Sequence, residues 1–177
     1  IKLQSVDELL GVPEIAGTQE IELGRIHAFP NHPFKVLDDE RMDMLVESIR
    51  ENGILNPVIV RPDKNGDYEM ISGHRRLHAA GIVGLSKIPA IVKEMSDDEA
   101  IIKMVDANIQ REEIMPSEKA FAYKMKLEAM KRTAGRPTKE NACHNGTHLR
   151  SDQELALQVG DSARSIQRYI RLTELIP

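Results

Sequence analysis

From Pro57 to Ser72 the chain reads PVIVRPDKNGDYEMIS, two β-type runs joined across Asn65-Gly66. Asn-Gly between such runs is the strongest short-range hairpin signal, so two adjacent antiparallel strands are expected here. The second run stops at Ser72-Gly73, and a short helix is expected over 75–81. A strand feeding a helix through a glycine aims the helix's unsatisfied N–H groups outward, which makes a ready phosphate site. His74, Arg75 and Arg76 crowd its first turn, although a helix dipole favours cations at the opposite end. Either an anion sits against Gly73, or nearby carboxylates neutralise the turn.

Around this hairpin the first half alternates strands and helices. EIELGRI (20–26) alternates as a strand, and KIPAIV (87–92) is another. DDERMDMLVESIRENG (38–53) places Met42, Leu45, Val46 and Ile49 at helical spacing, with Asp38 as N-cap and Gly53 as stop. From Ser96 the pattern is helical. Ser96 and Glu99 stand in capping-box spacing before one amphipathic helix, and Pro116–Arg132 forms the next. The expected fold class is therefore α+β. A flexible leader (1–18) precedes an α/β domain (19–95), followed by a helical domain (96–177) with an exposed loop at 133–150.

No apolar run approaches membrane-spanning length and no signal-peptide core is present, so the chain reads as soluble and cytoplasmic. Cys143 is the single cysteine, which excludes an internal disulfide framework and any multi-cysteine zinc site. With three Tyr, three Phe and no Trp, stacking platforms for single strands are not expected. The chain starts without Met and stops at Pro177 straight after a helical pattern, which reads as a piece of a longer protein. Net charge is −4, but residues 1–115 hold 13 Lys and Arg against 21 Asp and Glu, and residues 116–177 hold 11 against 7. An acidic platform joined to a basic binding module is the reading that fits.

The basic half contains a helix-turn-helix pattern at 152–171. Counting from Asp152, the small residue Ala156 is fifth, Gly160 ninth and the apolar Ile166 fifteenth. Those are the close-approach, turn and core positions of a DNA-reading unit. Leu155, Val159, Ile166 and Ile170 supply its apolar face. Ser162, Arg164, Ser165, Gln167, Arg168 and Arg171 are left to meet base edges and phosphates in a major groove.

Four segments, NPVIVRP (56–62), YEMISGHRRLHAAGIVGLSKIPAIV (68–92), DANIQREEIMPSEKAFAY (106–123) and the helix-turn-helix, resemble the ParB chromosome and plasmid partition proteins in order and spacing. The resemblance implies a ParB/sulfiredoxin-like α/β domain that binds CTP with Mg2+. It also implies a helical domain that binds a palindromic, centromere-like site in double-stranded DNA, with CTP closing a homodimer into a sliding clamp at the nucleoid. A separate C-terminal dimerisation domain of that family has no counterpart in this chain. By the same resemblance Gly53, Asn56, Pro57 and Arg61 belong to the nucleotide pocket, and Ser72, Gly73, His74, Arg75 and Arg76 to the phosphate motif. Asn108, Gln110 and Arg111 belong to the third motif, with Asn108 near the metal. A Walker-type partition ATPase is the implied partner, although residues 1–18 lack the basic cluster expected of its contact tail.

Two positions depart from the family pattern. His74 and Ala107 stand where glutamates are usual, and carboxylates are the natural ligands for Mg2+ and can orient a hydrolytic water. Slow or absent CTP hydrolysis is expected, with Asp106 as a neighbouring carboxylate one helical position away. The alternative is a ParB-like transcriptional regulator or adapter without nucleotide switching. A sulfiredoxin-type enzyme would need a cysteine at the phosphate turn, and a kinase a carboxylate base there; this chain offers neither. CHNGTH (143–148) falls short of a four-ligand zinc site. GRP (135–137), with Arg136, Lys139 and Arg150 nearby, adds only non-specific attraction to phosphates.

Overall fold

A computed structural model describes residues 17–109, 114–133 and 151–175. The leader up to residue 16, Gln110, Arg111 and residues 134–150, including Cys143, Arg136, Lys139 and Arg150, lie outside the described residues. The fold is α+β, as the residue pattern implies. Its strands are β1 (Thr18–Glu22), β2 (Ile26–His27), β3 (Val58–Pro62), β4 (Tyr68–Ser72) and β5 (Lys87–Val92). Helix α1 (Glu40–Asn52) lies between β2 and β3, and α2 (His74–Val83) between β4 and β5. Then come α3 (Asp97–Ile109), α4 (Pro116–Thr133), α5 (Ser151–Val159) and α6 (Ala163–Leu175).

The sheet order is β1-β5-β3-β4-β2, with β3 and β4 antiparallel as the Asn-Gly turn requires and β3 parallel to β5. Residues 20–26 are not one strand. The segment breaks at a 3-10 turn (Leu23–Arg25) because its two ends pair with opposite edges: Glu22 with Lys87 of β5, and Ile26 with Tyr68 of β4. In a flat sheet those edges would stand about 19 Å apart. The four residue steps from Glu22 to Ile26 reach at most about 14 Å. The sheet must therefore curl, and Ile21 and Ile26 share one core cluster as a result.

Both faces of the sheet are covered. Val58, Val60 and Met70 pack with Ala80 of α2, and α1 lies on α2 through Met42, Val46, Ile49 and Ala79. On the other face Ile71 meets Ala100, Met104 and Val105 of α3 and Ala122 of α4. Met70 and Ile71, adjacent on β4, point to opposite faces and are buried in different clusters, and the β3–β4 pairing shifts register between Ile59 and Val60. The helix-turn-helix forms a further core. Leu155 and Ile166 are fully buried against Tyr123 and Leu127 of α4.

Helix boundaries follow local chemistry, with two corrections to the sequence reading. The N-cap of α1 is Asp39, whose carboxylate accepts from the Met42 amide at 2.8 Å; Asp38 instead accepts from His78 Nε2 at 2.7 Å. Helix α2 begins at His74 and runs past Gly81, stopping only where Gly84 turns left-handed at φ 83°. The capping box before α3 forms as expected. The Ser96 amide donates to Glu99 Oε2 at 2.9 Å, and the Glu99 amide donates to Ser96 Oγ at 3.4 Å. These hydrogen bonds from Ser96 hold the Glu99 carboxyl below its usual range. Ser96→Ala is expected to cost about 1 kcal/mol, read as a lower urea midpoint at unchanged slope.

Candidate functional site

The junction of β4 and α2 is built around Gly73, which caps α2 in the left-handed region at φ 112°. A Cβ there would stand 2.6 Å from Val58 Cγ1 on β3. Glycine is therefore required twice, once by the backbone angle and once by the contact. No side chain caps α2, so its first turn offers amide N–H groups that the helix cannot satisfy itself.

The three basic residues of that turn go three ways. His74 is buried, at 7% exposure, with its ring 3.8 Å from that of His32 and tilted by 36°. His32 donates from Nδ1 to the Phe34 carbonyl at 2.7 Å, which fixes that ring at the base of the stack. Arg75 pairs with the α1 cap Asp39 at 2.9 Å. Arg76 donates to the carbonyl oxygens of Asn56 and, at 2.8 Å, of Pro57. Carbonyls supply only partial negative charge, and among the described residues no carboxylate pairs with Arg76. Burial pulls its pKa below the ordinary arginine value. The turn is thus partly neutralised by Asp39 and keeps one cation facing dipoles only.

The site residues expected from the sequence divide accordingly. Asn56, Pro57, Ser72, Gly73, Arg75 and Arg76 come together, and His74 lies beneath them. Gly53 ends α1 at φ 68°, three residues before Asn56. Arg61 stands three residues beyond Val58 along β3, about 10 Å away at strand spacing. Its guanidinium is taken by Glu69 and by Asp97, the latter at 2.7 Å, and lies over the Phe29 ring. Burial opposes its charge most strongly, yet the hydrogen bonds to Glu69 and Asp97, with their Coulombic attraction, raise its pKa overall. An open groove of about 480 Å³ starts at His74 and runs along α2 to Ile82, walled by Ala28 and Val36.

In the third motif Asn108 is 2% exposed and donates Nδ2 to the Met104 carbonyl at 2.7 Å. Gln110 and Arg111 fall outside the described residues. Asp106, the carboxylate beside Ala107, is engaged by Lys126 of α4. No group of three or more His, Cys, Asp or Glu able to hold a metal occurs among the described residues. One buried amide oxygen does not make a fit for a resident Mg2+, a hard cation that takes carboxylate and phosphate oxygens.

The helix-turn-helix presents a second surface. Gly160 turns at φ 74°, and Ser162 caps α6 by accepting from the Ser165 amide at 3.1 Å. Arg164, Gln167, Arg168 and Arg171 are exposed along α6, with Ser165 half-buried. Gln167 Nε2 reaches Asp152 at 3.3 Å. Two groups that the sequence reading passed over hold this unit to α4. Asp161, in the turn, accepts from the buried Tyr123 hydroxyl and pairs with Lys119 at 2.9 Å. Lys126, fully buried, donates to Gln158 Oε1 at 2.6 Å while engaging Asp106. Lys126 lies on the same stripe of α4 as Ala122, Tyr123 and Leu127, and a lysine on an apolar stripe was the available signal.

The Lys119 and Tyr123 hydrogen bonds hold the Asp161 carboxyl below its usual range. Burial, with Asp161 beside it, pushes the Tyr123 phenol far up. A depressed carboxyl stabilises the fold fully above its unfolded pKa, near about 4, and the contribution fades as pH falls through the lower folded value. The stability difference between the parent chain and Asp161→Asn is expected to be largest at neutral pH and to shrink below about pH 4, measured by urea unfolding across pH. Gly73→Ala is expected to cost roughly 1–3 kcal/mol through strain at positive φ, with an added clash. Val58→Ala removes Cγ1 but opens a cavity in the core, where Val58 is fully buried. Thermal melts of both single variants and the double variant are therefore needed, with the clash read as the coupling between the two changes and the strain as the remainder.

The ParB N-terminal domain family matches residues 8–109. The Spo0J chromosome-partitioning protein of Thermus thermophilus is 35% identical over 162 residues, covering 92% of this chain and 53% of that protein. The chain thus spans about half the length of this relative. A C-terminally truncated ParB of Caulobacter crescentus complexed with CTP-gamma-S superposes with a TM-score of 0.50 at 28% identity, covering 91% of this chain and 80% of that one. The same protein complexed to the centromeric parS site gives a TM-score of 0.57 at 24% identity, covering 90% and 73%. Since the matched segment takes in the hairpin, the Gly73 turn and α3 and amounts to more than half of the chain, the protein belongs to the ParB N-terminal domain family.

Proposed function

We propose that this chain is the nucleotide- and DNA-binding part of a partition protein, reading a centromere-like palindrome through α6 and binding CTP at the Gly73 turn. The exposed row of Arg164, Gln167, Arg168 and Arg171, on a helix locked by Ile166 and the Asp161 clasp, carries the DNA reading. Arginine and glutamine are the side chains that pair with guanine and adenine edges, and the same arginines meet phosphates. Support also comes from the Caulobacter crescentus relative, described in complex with parS. Palindromy implies a homodimer, because two-fold symmetric protein and site mirror each other.

The nucleotide reading rests on Gly73 and Arg76: unsatisfied helix amides beside a cation held only by carbonyls favour a polyphosphate. A relative at 28% identity is described with CTP-gamma-S. Arg75 joins the phosphates by exchanging Asp39 for them. Positions 74 and 107, lacking carboxylates, would supply no ligand to Mg2+. With His74 turned inward against His32 and Asp106 engaged by Lys126, neither of the two motif positions that depart from the family supplies a carboxylate to activate water. Hydrolysis is accordingly slow or absent, and the clamp resets by nucleotide dissociation.

Arg164→Ala is expected to weaken binding to a selected DNA site by roughly 1–3 kcal/mol if it reads a base, and less, without sequence preference, if it meets phosphate. Undiminished binding by an Arg164→Ala/Arg168→Ala double variant in a gel shift would overturn the DNA reading. Arg75→Ala should abolish CTP retention in calorimetry while the chain stays folded, its melting temperature lowered only by the loss of the Arg75–Asp39 pair. Full retention would overturn the phosphate role of Arg75, and absence of CTP binding by the parent chain would favour a regulator without nucleotide switching.

A further inference from the structure

Lys126 is a residue that neither proposed site uses. Its side chain is 1% exposed, on a helix that otherwise buries alanine, tyrosine and leucine, yet its ammonium is not placed among apolar atoms. Nζ ends between the Asp106 carboxylate of α3 and the Gln158 amide oxygen of α5, both on exposed residues that close over it. One cation therefore bridges three helices. Asp106 stands two residues before Asn108 of the third nucleotide motif. Gln158 stands two residues before Gly160, where the chain turns toward the DNA-facing helix.

We infer that Lys126 is a positioning residue that couples the nucleotide site to the DNA-reading unit, and this inference rests on the two-site reading above. The physical ground is the cost of leaving a buried ammonium half satisfied. If a ligand at the Gly73 turn shifts the C-terminal end of α3, Asp106 moves with it. Lys126 must then follow or lose its counter-charge, and Gln158 and α5 are drawn along, because a buried ion deprived of its partner is strongly disfavoured. A contact between apolar side chains would slide at little cost; this one is directional and short. The coupling is reciprocal, so occupancy of the DNA face biases α3 by the same factor.

The test uses the whole chain with CTP and a duplex selected from random DNA. The readout is the ratio of DNA dissociation constants with and without saturating CTP. The parent chain is expected to show a ratio different from one, in the range of roughly 5–150-fold for coupled sites. Asp106→Asn should bring the ratio close to one, with CTP affinity in the absence of DNA and DNA affinity in the absence of CTP changed less than about threefold. Asp106→Glu should restore the ratio. A second variant, Asp106→Leu with Lys126→Met, replaces the ion pair by apolar packing of similar volume, an exchange that folds tolerate. It should stay folded and show a ratio near one. An unchanged ratio in either variant overturns the inference, as does loss of both separate affinities together with the ratio, which marks a structural role only. A parent chain that binds CTP and DNA independently overturns the inference and leaves the proposed function standing. A parent chain that binds no CTP removes the nucleotide reading and the inference with it.

Discussion

A strand, a turn and a helix meet at the contact between Gly73 and Val58, and the site is laid out by how closely they approach. With no Cβ at position 73, β4 can end against β3 and α2 can start at once from a left-handed cap. That placement brings Arg76 over the carbonyls of Asn56 and Pro57 and Arg75 over Asp39, so the lead-in to β3 and the cap of α1 are tied to the same turn. Any side chain at 73 would push these elements apart. The turn is the structural joint of the α/β half, and Arg76 there faces carbonyl dipoles only.

The helical half depends on α4 in a comparable way. It carries two fully buried polar side chains, Tyr123 and Lys126, and each reaches out of the core to a partner on the helix-turn-helix. Asp161 collects Tyr123 and Lys119, and Lys119 in turn lies over both the Tyr123 and Tyr169 rings. Apolar packing of Leu155 and Ile166 supplies burial without direction, whereas these hydrogen bonds fix how α5 and α6 are rotated on α4. The proposed role of α6 in reading DNA would require that fixity, because bidentate base contacts tolerate little misplacement.

The basic residues of the turn show how far local rules carry. A dipole argument states that three cations at a helix start require compensation, and compensation is present, but each residue finds a different kind. Asp39 is 36 residues distant in sequence from Arg75, and His32 is further still from His74. No local pattern links them. The same holds for Arg61, whose alternation in β3 is legible, while its engagement by Glu69 and Asp97 follows from pairing across the hairpin and from the approach of α3.

Periodicity, turn residues and caps are short-range, and they determined by themselves the hairpin, the capping box at Ser96, the helix-turn-helix register and the glycine joint. They misplaced what depends on distant partners. The 20–26 run alternates as one strand but is divided between two sheet edges, because the curl of the sheet lies in no local pattern. Asp38 and Asp39 are equivalent as caps until His78 claims one and the Met42 amide the other. The candidate residues at 56–57, 72–76 and 162–171 were legible because their chemistry sits on continuous segments. The burial of His74, the diversion of Asp106 and the bridge through Lys126 were decided only by tertiary packing, because each depends on which side chain arrives from another helix or loop and how much water it leaves.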